Sequence, residues 1–480
     1  MSAHHPRRHF IVTSSALAAG LLIPPTKKSS AAEGPLPTKA ILRPTTDNLF
    51  RVRMEVSLEG LLQFPKDPLV SRQKDRQLSL KATSVIDFEE LLTRDDAHRP
   101  QGSRRYYYEA RSEAEAGTDR QLLELRKEAK RLVSRRSSGA EIIYSENTFL
   151  DHNELGLLQT PLSSLALEEI LPREEVSVGS TYQPAPETLA QLLNLDAVQS
   201  STVRGEVIAL DSMTARVQWS GHLEASSEGV PTSLDLAAKM IFDRKTNAVT
   251  WLAVSIRENR EIGLARPGFE VGATVKLLRQ RLESPNATGD SAPLEIEDAP
   301  PKERLLVNLR SLPGRFTAFM DRQWHVINDQ AGATTLRMIV NEKSLAQCDL
   351  RPLPNLKPGE QLTLEAFQAE IRRALGTQFG QFIESEEGLN GGQLRAMRVV
   401  VMGQSSTGEV PVQWVFLQFS DDTGRRLAAT FTVPNEHVEA FGGSDAQLAN
   451  SLAFLDPTGA STPAPAQTST ATKPGATPKK

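Results

Sequence analysis

Regular alternation of apolar and polar residues is the feature that most constrains the fold of this chain. Apolar side chains occupy every second position over residues 50–58 and 234–242, and shorter stretches of the same kind lie at residues 215–219 and 252–256. A period of two places all the apolar side chains on one face of a β-strand. One-sided strands favour antiparallel sheets with one solvent-exposed face, so a β-rich domain is predicted over residues 36–283.

Less regular segments of this first domain are predicted from local composition. Residues 104–110 and 131–134 favour strands, whereas residues 121–130 are also compatible with a helix. Leucines at helical spacing indicate short helices at residues 163–170 and 187–195. The domain is therefore expected to be β-rich and antiparallel, with a few helices.

Two stretches of biased composition divide the rest of the chain. Residues 284–303 are rich in proline and serine and predict an interdomain linker. Residues 456–480 contain threonine, alanine and proline but no aromatic residue, so a disordered tail is predicted there. A second domain is predicted between them, over residues 304–455.

The second domain has a different order of elements. The predicted elements are a hairpin around residues 329–332, a helix from a Thr363 cap to Gly376, strands at residues 394–401, 410–419 and 426–433, and a last helix capped by Ser444 or Asp445. This order predicts an α/β sandwich with an antiparallel sheet, and the whole chain is assigned to the α+β class.

Residues 1–32 have the composition of a signal peptide. Arg7 and Arg8 precede Phe10 and a weakly apolar stretch that is shorter than the roughly 20 residues of a membrane-spanning helix. Small residues end at Ala32, where a signal peptidase would cleave. The arginine pair resembles a twin-arginine export signal, with general secretion as the alternative. The mature protein is expected to be periplasmic or extracellular and not to span a membrane.

The net charge and the cysteine content argue against some classes of function and against a disulfide-bonded fold. Removing the four basic residues of the leader, which has no acidic ones, shifts the formal net charge from −4 to −8. An acidic chain outside the cytoplasm is a poor partner for nucleic acid, even though residues 104–108 and 127–136 interleave basic and aromatic side chains. Cys348 is the only cysteine, so no intramolecular disulfide forms, and it is expected to pack in the core.

Motifs for catalysis, cofactors or metals are weak in this chain. Its five histidines after the leader lie far apart in sequence, without metal-ligand spacing; they are His98, His152, His222, His325 and His437. Ser71 and Lys74 fit a Ser-x-x-Lys pattern, but neither Ser-Asp-Asn nor Lys-Thr-Gly occurs, and a polar loop is favoured. Residues 403–408 have the wrong spacing for a nucleophile elbow and favour a turn. No catalytic, cofactor-binding or metal-binding residue is assigned.

The second domain resembles the PsbP-like and DcrB-like exported domains. The resemblance covers residues 316–455 and rests on the order of elements and on the stretches "DRQWHVINDQAGATTLRMIV", "LTLEAFQAEIRRALGTQFGQF", "VPVQWVFLQFSDDTGRRLAATFTV" and "DAQLANSLAFL". It implies a bent antiparallel sheet covered by helices, in a polypeptide that accompanies a larger assembly or envelope process.

The first domain is similar to large uncharacterised exported bacterial proteins. The similarity rests on Leu171-Pro172 followed by Val176, Val178, Gly179 and Tyr182, and it implies no known activity.

These observations favour an exported, non-catalytic interaction or binding protein of the bacterial envelope, with an unknown protein partner and no cofactor. The alternative is a periplasmic carrier of an apolar ligand such as a lipid, lined by residues 50–58 and 234–242. A large unfilled space on that face would distinguish a carrier from an ordinary core. A serine-type hydrolase around Ser71 is the third hypothesis.

Overall fold

The computed structural model describes seven ranges of the chain: 39–64, 76–136, 141–289, 300–340, 343–357, 359–405 and 410–455. The predicted signal residues Arg7, Arg8, Phe10 and Ala32, the Ser71 pattern and the predicted tail lie outside them. The chain forms two compact units. Unit 1 comprises residues up to 308 together with 321–327 and 337–344, and unit 2 comprises 309–320, 328–336 and the residues from 345 on.

Strands dominate the described residues, which confirms the predicted α+β class with its β-rich first part. Up to residue 289 the strands are β1 (Ala40–Ile41), β2 (Leu49–Phe64), β3 (Arg76–Arg94), β4 (Pro100–Ala116), β5 (Asp119–Glu124), β6 (Arg131–Arg135), β7 (Ile142–Tyr144), β8 (Glu175–Val176), β9 (Thr181–Tyr182), β10 (Ala197–Ser201), β11 (Arg204–Leu210), β12 (Thr214–Ser227), β13 (Val230–Asp243), β14 (Ala248–Arg260) and β15 (Gly268–Arg281). The α-helices here are α1 (His152–Leu158) and α2 (Pro186–Leu192).

Long antiparallel strands form the main sheet of unit 1. Among the described residues thirteen strands belong to it, in the order β7-β6-β4-β3-β2-β15-β14-β13-β12-β11-β9, with β5 on β4 and β10 on β12. The alternating stretches at residues 50–58 and 234–242 lie in β2 and β13, as predicted. In the middle of the sheet β2 pairs with β15, from Phe50 opposite Arg281 to Gln63 opposite Gly268.

The apolar face of this sheet is covered by the chain itself. We call residues 150–195 the plug segment, because its leucines pack on that face. Val56 of β2, Leu234 of β13, and Leu158 and Leu189 of the plug segment belong to one cluster of buried side chains. Leu158 is 1% exposed and Leu189 0% exposed. The face predicted to line a carrier cavity is therefore packed as a core.

One helical prediction in this region is wrong, and a second segment, for which a helix was left open, is not helical. Residues 121–130 contain part of β5 and a 3₁₀ turn at Lys127–Ala129, not an α-helix. Residues 163–170 contain a 3₁₀ turn at Ser164–Ala166 in place of the predicted helix. Residues 163–170 bury their leucines through tertiary packing, which overrides the weak preference of a short leucine-rich stretch for a helix.

Tyr182, in the stretch that resembles other exported proteins, closes the edge of the sheet. Its hydroxyl accepts a hydrogen bond of 2.7 Å from Trp219 Nε1. Opposite it in the ladder is Gly205. A Cβ atom on Gly205 would lie 2.6 Å from the Tyr182 ring, so only glycine leaves room for the ring. The tyrosine of this motif therefore has a structural role.

The first residues of the predicted linker are fixed to the sheet by Glu89 of β3. Its buried carboxylate accepts hydrogen bonds from the backbone N–H groups of Asn286, Ala287 and Thr288 and from the hydroxyls of Thr288 and Tyr108. Burial alone would raise the pKa of Glu89, but these hydrogen bonds, those of Thr288 first, hold the pKa below its ordinary value.

Glu89→Gln should lower the free energy of unfolding at pH 7 by about 1.5–3 kcal/mol, the range for hydrogen bonds to a charged group. Because the pKa of Glu89 is depressed in the folded state, its stabilisation is present above the unfolded pKa of about 4.3 and is lost as pH falls through the folded pKa. The stability difference, measured by urea unfolding, should therefore shrink in acid. Glu59→Gln, on an exposed position of β2, serves as the control. An equal effect of both variants would contradict the role of Glu89.

From residue 300 the described residues form six 3₁₀ or α segments and ten strands. The strands are β16 (Val307–Ser311), β17 (Phe316–Met320), β18 (Trp324–Gln330), β19 (Ala333–Val340), β20 (Lys343–Leu353), β21 (Phe379–Leu389), β22 (Arg395–Gln404), β23 (Pro411–Ser420), β24 (Arg426–Pro434) and β25 (Ala453–Phe454). The α-helices are α3 (Leu364–Leu375), α4 (Val438–Phe441) and α5 (Ser444–Ser451), and 3₁₀ turns occur at Lys302–Leu305, Gly376–Gln378 and Asn435–His437.

The predicted strands and helices of the second domain are confirmed, but the predicted cap of the last helix is wrong, because Gly443 occupies the N-cap position of α5 and neither Ser444 nor Asp445 caps it. In the described residues a seven-stranded sheet has the order β18-β19-β20-β24-β23-β22-β21, so β23 is an interior strand, as its apolar sequence predicts. The Thr363 side chain caps α3 by accepting from the Ala366 N–H, and Phe367 and Ile371 of this helix pack on β22 and β23. Cys348 is fully buried, and burial raises the pKa of its thiol, which agrees with a packing role.

Candidate functional site

The tyrosines considered for nucleic-acid binding are engaged within unit 1. Tyr107 is 2% exposed and packs on Phe88, with ring centroids 5.1 Å apart. Arg51 lies 4.0 Å above the Tyr108 ring, and Arg131 lies over Tyr106. Arginines of the same chain therefore cover the rings of Tyr106 and Tyr108, and Phe88 covers that of Tyr107.

A chain of alternating charges is buried between the sheet of unit 1 and the plug segment. We call it the ion-pair chain; it consists of Arg94, Glu168, Arg279, Glu90, Arg105 and Glu141. Arg279 Nη1 donates to Glu168 at 2.7 Å, and Arg105 Nη1 lies 2.6 Å from Glu141. The side chains of Glu90 and Arg279 are at most 1% exposed. Three positive and three negative groups thus compensate one another.

Several contacts in the ion-pair chain are longer than hydrogen bonds. Glu90 lies 3.6 Å from both Arg279 Nε and Arg105 Nε, and Arg94 lies 3.6 Å from Glu168. Within the described residues, Glu90 Oε1, Arg105 Nε and Arg279 Nε have no hydrogen-bond partner. The Arg279 guanidinium also stacks 3.6 Å above the buried Phe50 ring. The plug segment itself is held by close hydrogen bonds, since Ser164 donates to Glu90 at 2.7 Å and accepts from Arg105 at 3.0 Å.

The last carboxylate of the ion-pair chain, Glu141, borders a cleft at one end of the sheet. The cleft has an inner chamber of about 70 Å³ and an outer chamber of about 240 Å³. Arg260 and Glu228 line both chambers, and all the lining residues belong to unit 1. We call the two chambers together the rim cleft.

Two backbone segments form the outer chamber. One is the turn between β12 and β13, where Glu228 and Gly229 have φ values of 53° and 73°. Positive φ at both central residues is the type I′ geometry that two-residue hairpins prefer, and it suits glycine. The other is the loop of residues 261–267 between β14 and β15, and His325 and Ile339 complete the lining.

Arg260 is the central polar group of the rim cleft. It is 6% exposed, lies 2.7 Å from Glu258 through Nη2, and stacks 4.5 Å above the Phe269 ring. Burial raises the pKa of Glu258, against the opposing effect of Arg260. Arg260 Nε has no hydrogen-bond partner within the described residues. A buried donor without a partner is costly, so this group lowers the stability of the folded chain.

The other ionisable groups of the rim cleft are held by neighbours. Glu228 is paired with Arg266, and Asp196 accepts a hydrogen bond of 2.8 Å from the Gly229 N–H. Burial raises the pKa of Asp196. Burial, and then the charge of Arg266, lower the pKa of His325, so this imidazole is neutral at pH 7. Glu261 of the outer chamber and Asp196 of the inner chamber have no ion-pair partner within the described residues, so the lining has more acidic than basic groups.

Apolar side chains supply most of the remaining lining. The inner chamber is bordered by Leu158, Leu234 and Ile256. At the mouth of the outer chamber, Ile262 and Leu264 are 41% and 45% exposed. Apolar side chains exposed around a recess with a few fixed polar groups are typical of binding sites. The arrangement can bind and orient a group.

Two absences apply to the described part of the chain. Across those residues, no group of three or more histidine, cysteine, aspartate or glutamate side chains is placed to hold a metal ion. None of the helices there combines the length and hydropathy that a membrane-spanning helix needs.

The residues of the rim cleft were not predicted from the sequence, although a signal for them exists. The apolar alternation at residues 252–256 continues in β14 with Glu258 and Arg260 at inward-facing positions. The same parity places Arg279 inward after Leu277 in β15. Charged residues at positions of a strand that should be apolar indicate a buried polar site.

Comparison with known proteins does not assign this chain to a family. No protein-family model and no curated protein sequence matches the chain. The Saccharomyces cerevisiae Ran-binding protein Mog1p is 8% identical over 32% of this chain and 97% of its own, with a TM-score of 0.25. Lipovitellin is 10% identical over 53% of this chain and 27% of its own, with a TM-score of 0.29. A mutant porin from Rh. blastica has a TM-score of 0.10 at 8% identity, over 80% of this chain and 98% of its own. Scores this low do not establish a shared fold.

Proposed function

We propose that this chain is an exported, non-catalytic binding protein of the bacterial envelope, which engages a polypeptide partner through the rim cleft. The observation that carries the proposal is a recess with the exposed apolar side chains of Ile262 and Leu264 at its mouth. Export and the envelope are supported by the sequence of residues 1–32.

The rim cleft has the features of a protein–protein contact point. Such contacts are dominated by a few anchors that enter desolvated pockets, surrounded by neutral residues that exclude water. Ile262 and Leu264 supply exposed apolar surface next to the outer chamber, and Arg260 is part of its lining. No proton transfer or bond cleavage is needed to explain this set of groups.

The alternative of a lipid carrier has less support from the packing. The apolar face at residues 50–58 and 234–242 is filled by the plug segment. Ligand pockets for drug-sized molecules occupy about 300–1,000 Å³, whereas the outer chamber is about 240 Å³. A side chain of a partner fits the observed recess better than an acyl chain does.

Site-specific photo-crosslinking in cells that export the full chain tests the proposal. A photoreactive residue at Leu264 should form an adduct with a polypeptide, and the adduct should disappear when Ala265→Phe fills the outer chamber. The same residue at Leu278, which is 52% exposed on β15 away from the cleft, should give no such adduct.

Native mass spectrometry of the purified mature protein supplies the second readout. A mass equal to the bare chain is expected. A retained lipid-sized mass that is lost on denaturation would overturn the proposal in favour of a carrier. Equal adducts from Leu264 and Leu278, or none from either, would also contradict it.

A further inference from the structure

Strand β21 of the second unit lies at the edge of its sheet. Among the described residues it ends the seven-stranded order and pairs with β22 alone. Most of its eleven residues are exposed, including Ile383 at 52% and Leu389 at 69%. A sheet edge of this kind presents unpaired backbone N–H and C=O groups, to which another strand can be added. We propose that β21 binds an extended basic segment of another polypeptide by strand addition.

The second half of β21 is the part suited to a further strand. Two register shifts lie between residues 379 and 384, and such bulges disturb an edge. From Ser385, opposite Val399, to Leu389, opposite Arg395, the pairing with β22 continues without a shift. This regular stretch has the length of an ordinary strand, about five residues. The second half therefore offers a continuous edge for pairing.

One face of this edge is acidic. Arg398 of β22 lies 2.7 Å from Glu384 and 3.5 Å from Glu386. Its Nε also lies 2.8 Å from Asp445 of α5, so three carboxylates share one guanidinium. The side chains of Glu384 and Glu386 are 55% and 60% exposed. We call this the acidic face; it favours lysine or arginine on the incoming strand, because opposite charges on neighbouring strands stabilise a sheet.

The opposite face of β21 packs on α3 and carries less unbalanced charge. Gln368 of α3 donates to the Ser385 hydroxyl at 2.8 Å, and Glu387 is paired with Arg395 at 2.8 Å. Alternation along the strand places the exposed Leu389 on the same face. The incoming strand should therefore alternate basic side chains, over the acidic face, with apolar side chains over the α3 face.

The acidic face also argues against a second copy of this chain as the occupant. Two β21 edges joined in one continuous antiparallel sheet by a two-fold axis would place acidic face beside acidic face. Like charges on neighbouring strands destabilise a sheet. The formal net charge of −4 for the whole chain acts in the same direction. A basic segment of another polypeptide has neither penalty.

Hydrogen exchange of the full mature chain tests the proposal. The probe is an acetylated and amidated peptide of seven residues in which lysine and valine alternate, with lysine at both ends. At saturation it should slow amide exchange in residues 384–389 by about tenfold, because strand addition engages the N–H groups of the edge. Exchange in β5, which pairs with β4 at an edge of the other sheet, should not change. The same peptide with glutamate in place of lysine should bind about tenfold more weakly.

Variants locate the binding through the affinity for a fluorescently labelled probe. Glu384→Gln combined with Glu386→Gln should weaken binding about tenfold. Both side chains are more than half exposed, so the fold should tolerate the change. Glu436→Gln combined with Glu439→Gln removes the same charge from exposed positions elsewhere in this unit and should leave binding unchanged.

N-methylation of the probe separates strand addition from simple charge attraction. Successive N–H groups of a strand point to opposite edges, so methyl groups on every second nitrogen block one edge and leave the charges intact. One alternating set should abolish binding and the other should retain it, because a strand is added through one edge only.

Four results would overturn the proposal: no binding of the lysine peptide, equal binding of the glutamate peptide, binding without protection of residues 384–389, or binding of both N-methylated forms. An equal loss in the Glu436 and Glu439 control would also contradict it. Residues of β21 do not line the rim cleft, so these results are independent of the Leu264 adduct.

Discussion

Replacing Arg279 by leucine is expected to lower the free energy of unfolding by about 3–5 kcal/mol, the range for removing one partner of a buried ion pair. The guanidinium is 1% exposed and lies between Glu168 and Glu90, so its loss leaves two buried carboxylates short of a counter-charge. The stacking on Phe50 is lost as well. Urea unfolding at pH 7 measures the change.

Two further variants serve as controls for the replacement of Arg279. Arg120→Leu removes an exposed partner of Glu113 and should leave the unfolding midpoint unchanged. Arg279→Leu combined with Glu168→Leu removes both charges of one pair and should be less destabilising than Arg279→Leu alone. A single replacement as mild as that of Arg120 would show that the ion-pair chain does not hold the plug segment.

Leu189→Ala in α2 should lower the free energy of unfolding by about 2–5 kcal/mol, because it leaves a cavity in a packed interior. Leu189 is fully buried against the apolar face of the sheet. If that face instead held a mobile ligand, the leucine would contact a liquid-like interior and its truncation would cost much less. Unfolding in urea measures the difference.

Leu122→Ala is the matched control for the plug segment. Leu122 is 70% exposed on β5, so its truncation removes little buried area and should leave the midpoint unchanged. Similar small effects at Leu189 and Leu122, together with a retained apolar ligand, would contradict a packed core and restore the carrier hypothesis.

The period-two pattern predicted the strands of unit 1 because each strand carries that information locally. Residues 50–58 and 234–242 could be predicted as strands without knowing which strands they pair with. The helix capped by Thr363 could likewise be predicted from its own residues. The helix predicted at residues 163–170 was wrong, because this short apolar stretch fits a helix by composition but packs as a 3₁₀ turn on the sheet.

The candidate site was beyond sequence reasoning for a different reason. Its members come from distant strands and loops: Glu258 and Arg260 meet Asp196 and His325 only through the strand register and the course of the loops. The ion-pair chain likewise joins Glu90 to Glu168 and Arg279. The alternation of inward and outward positions along one strand can show that a charged residue faces inward. It cannot show which residue of another strand or loop supplies the opposite charge.

The pairing of β2 with β15 also sets the order in which unit 1 can be assembled. The neighbouring pairs β2–β3 and β13–β14 join segments close in sequence, so they can form soon after synthesis. The pairing that unites the two halves joins Phe50 to Arg281 and closes a very long loop, which is slow. Until Arg281 has been made, β2 keeps one unpaired edge, and that edge is exposed to pairing with other chains.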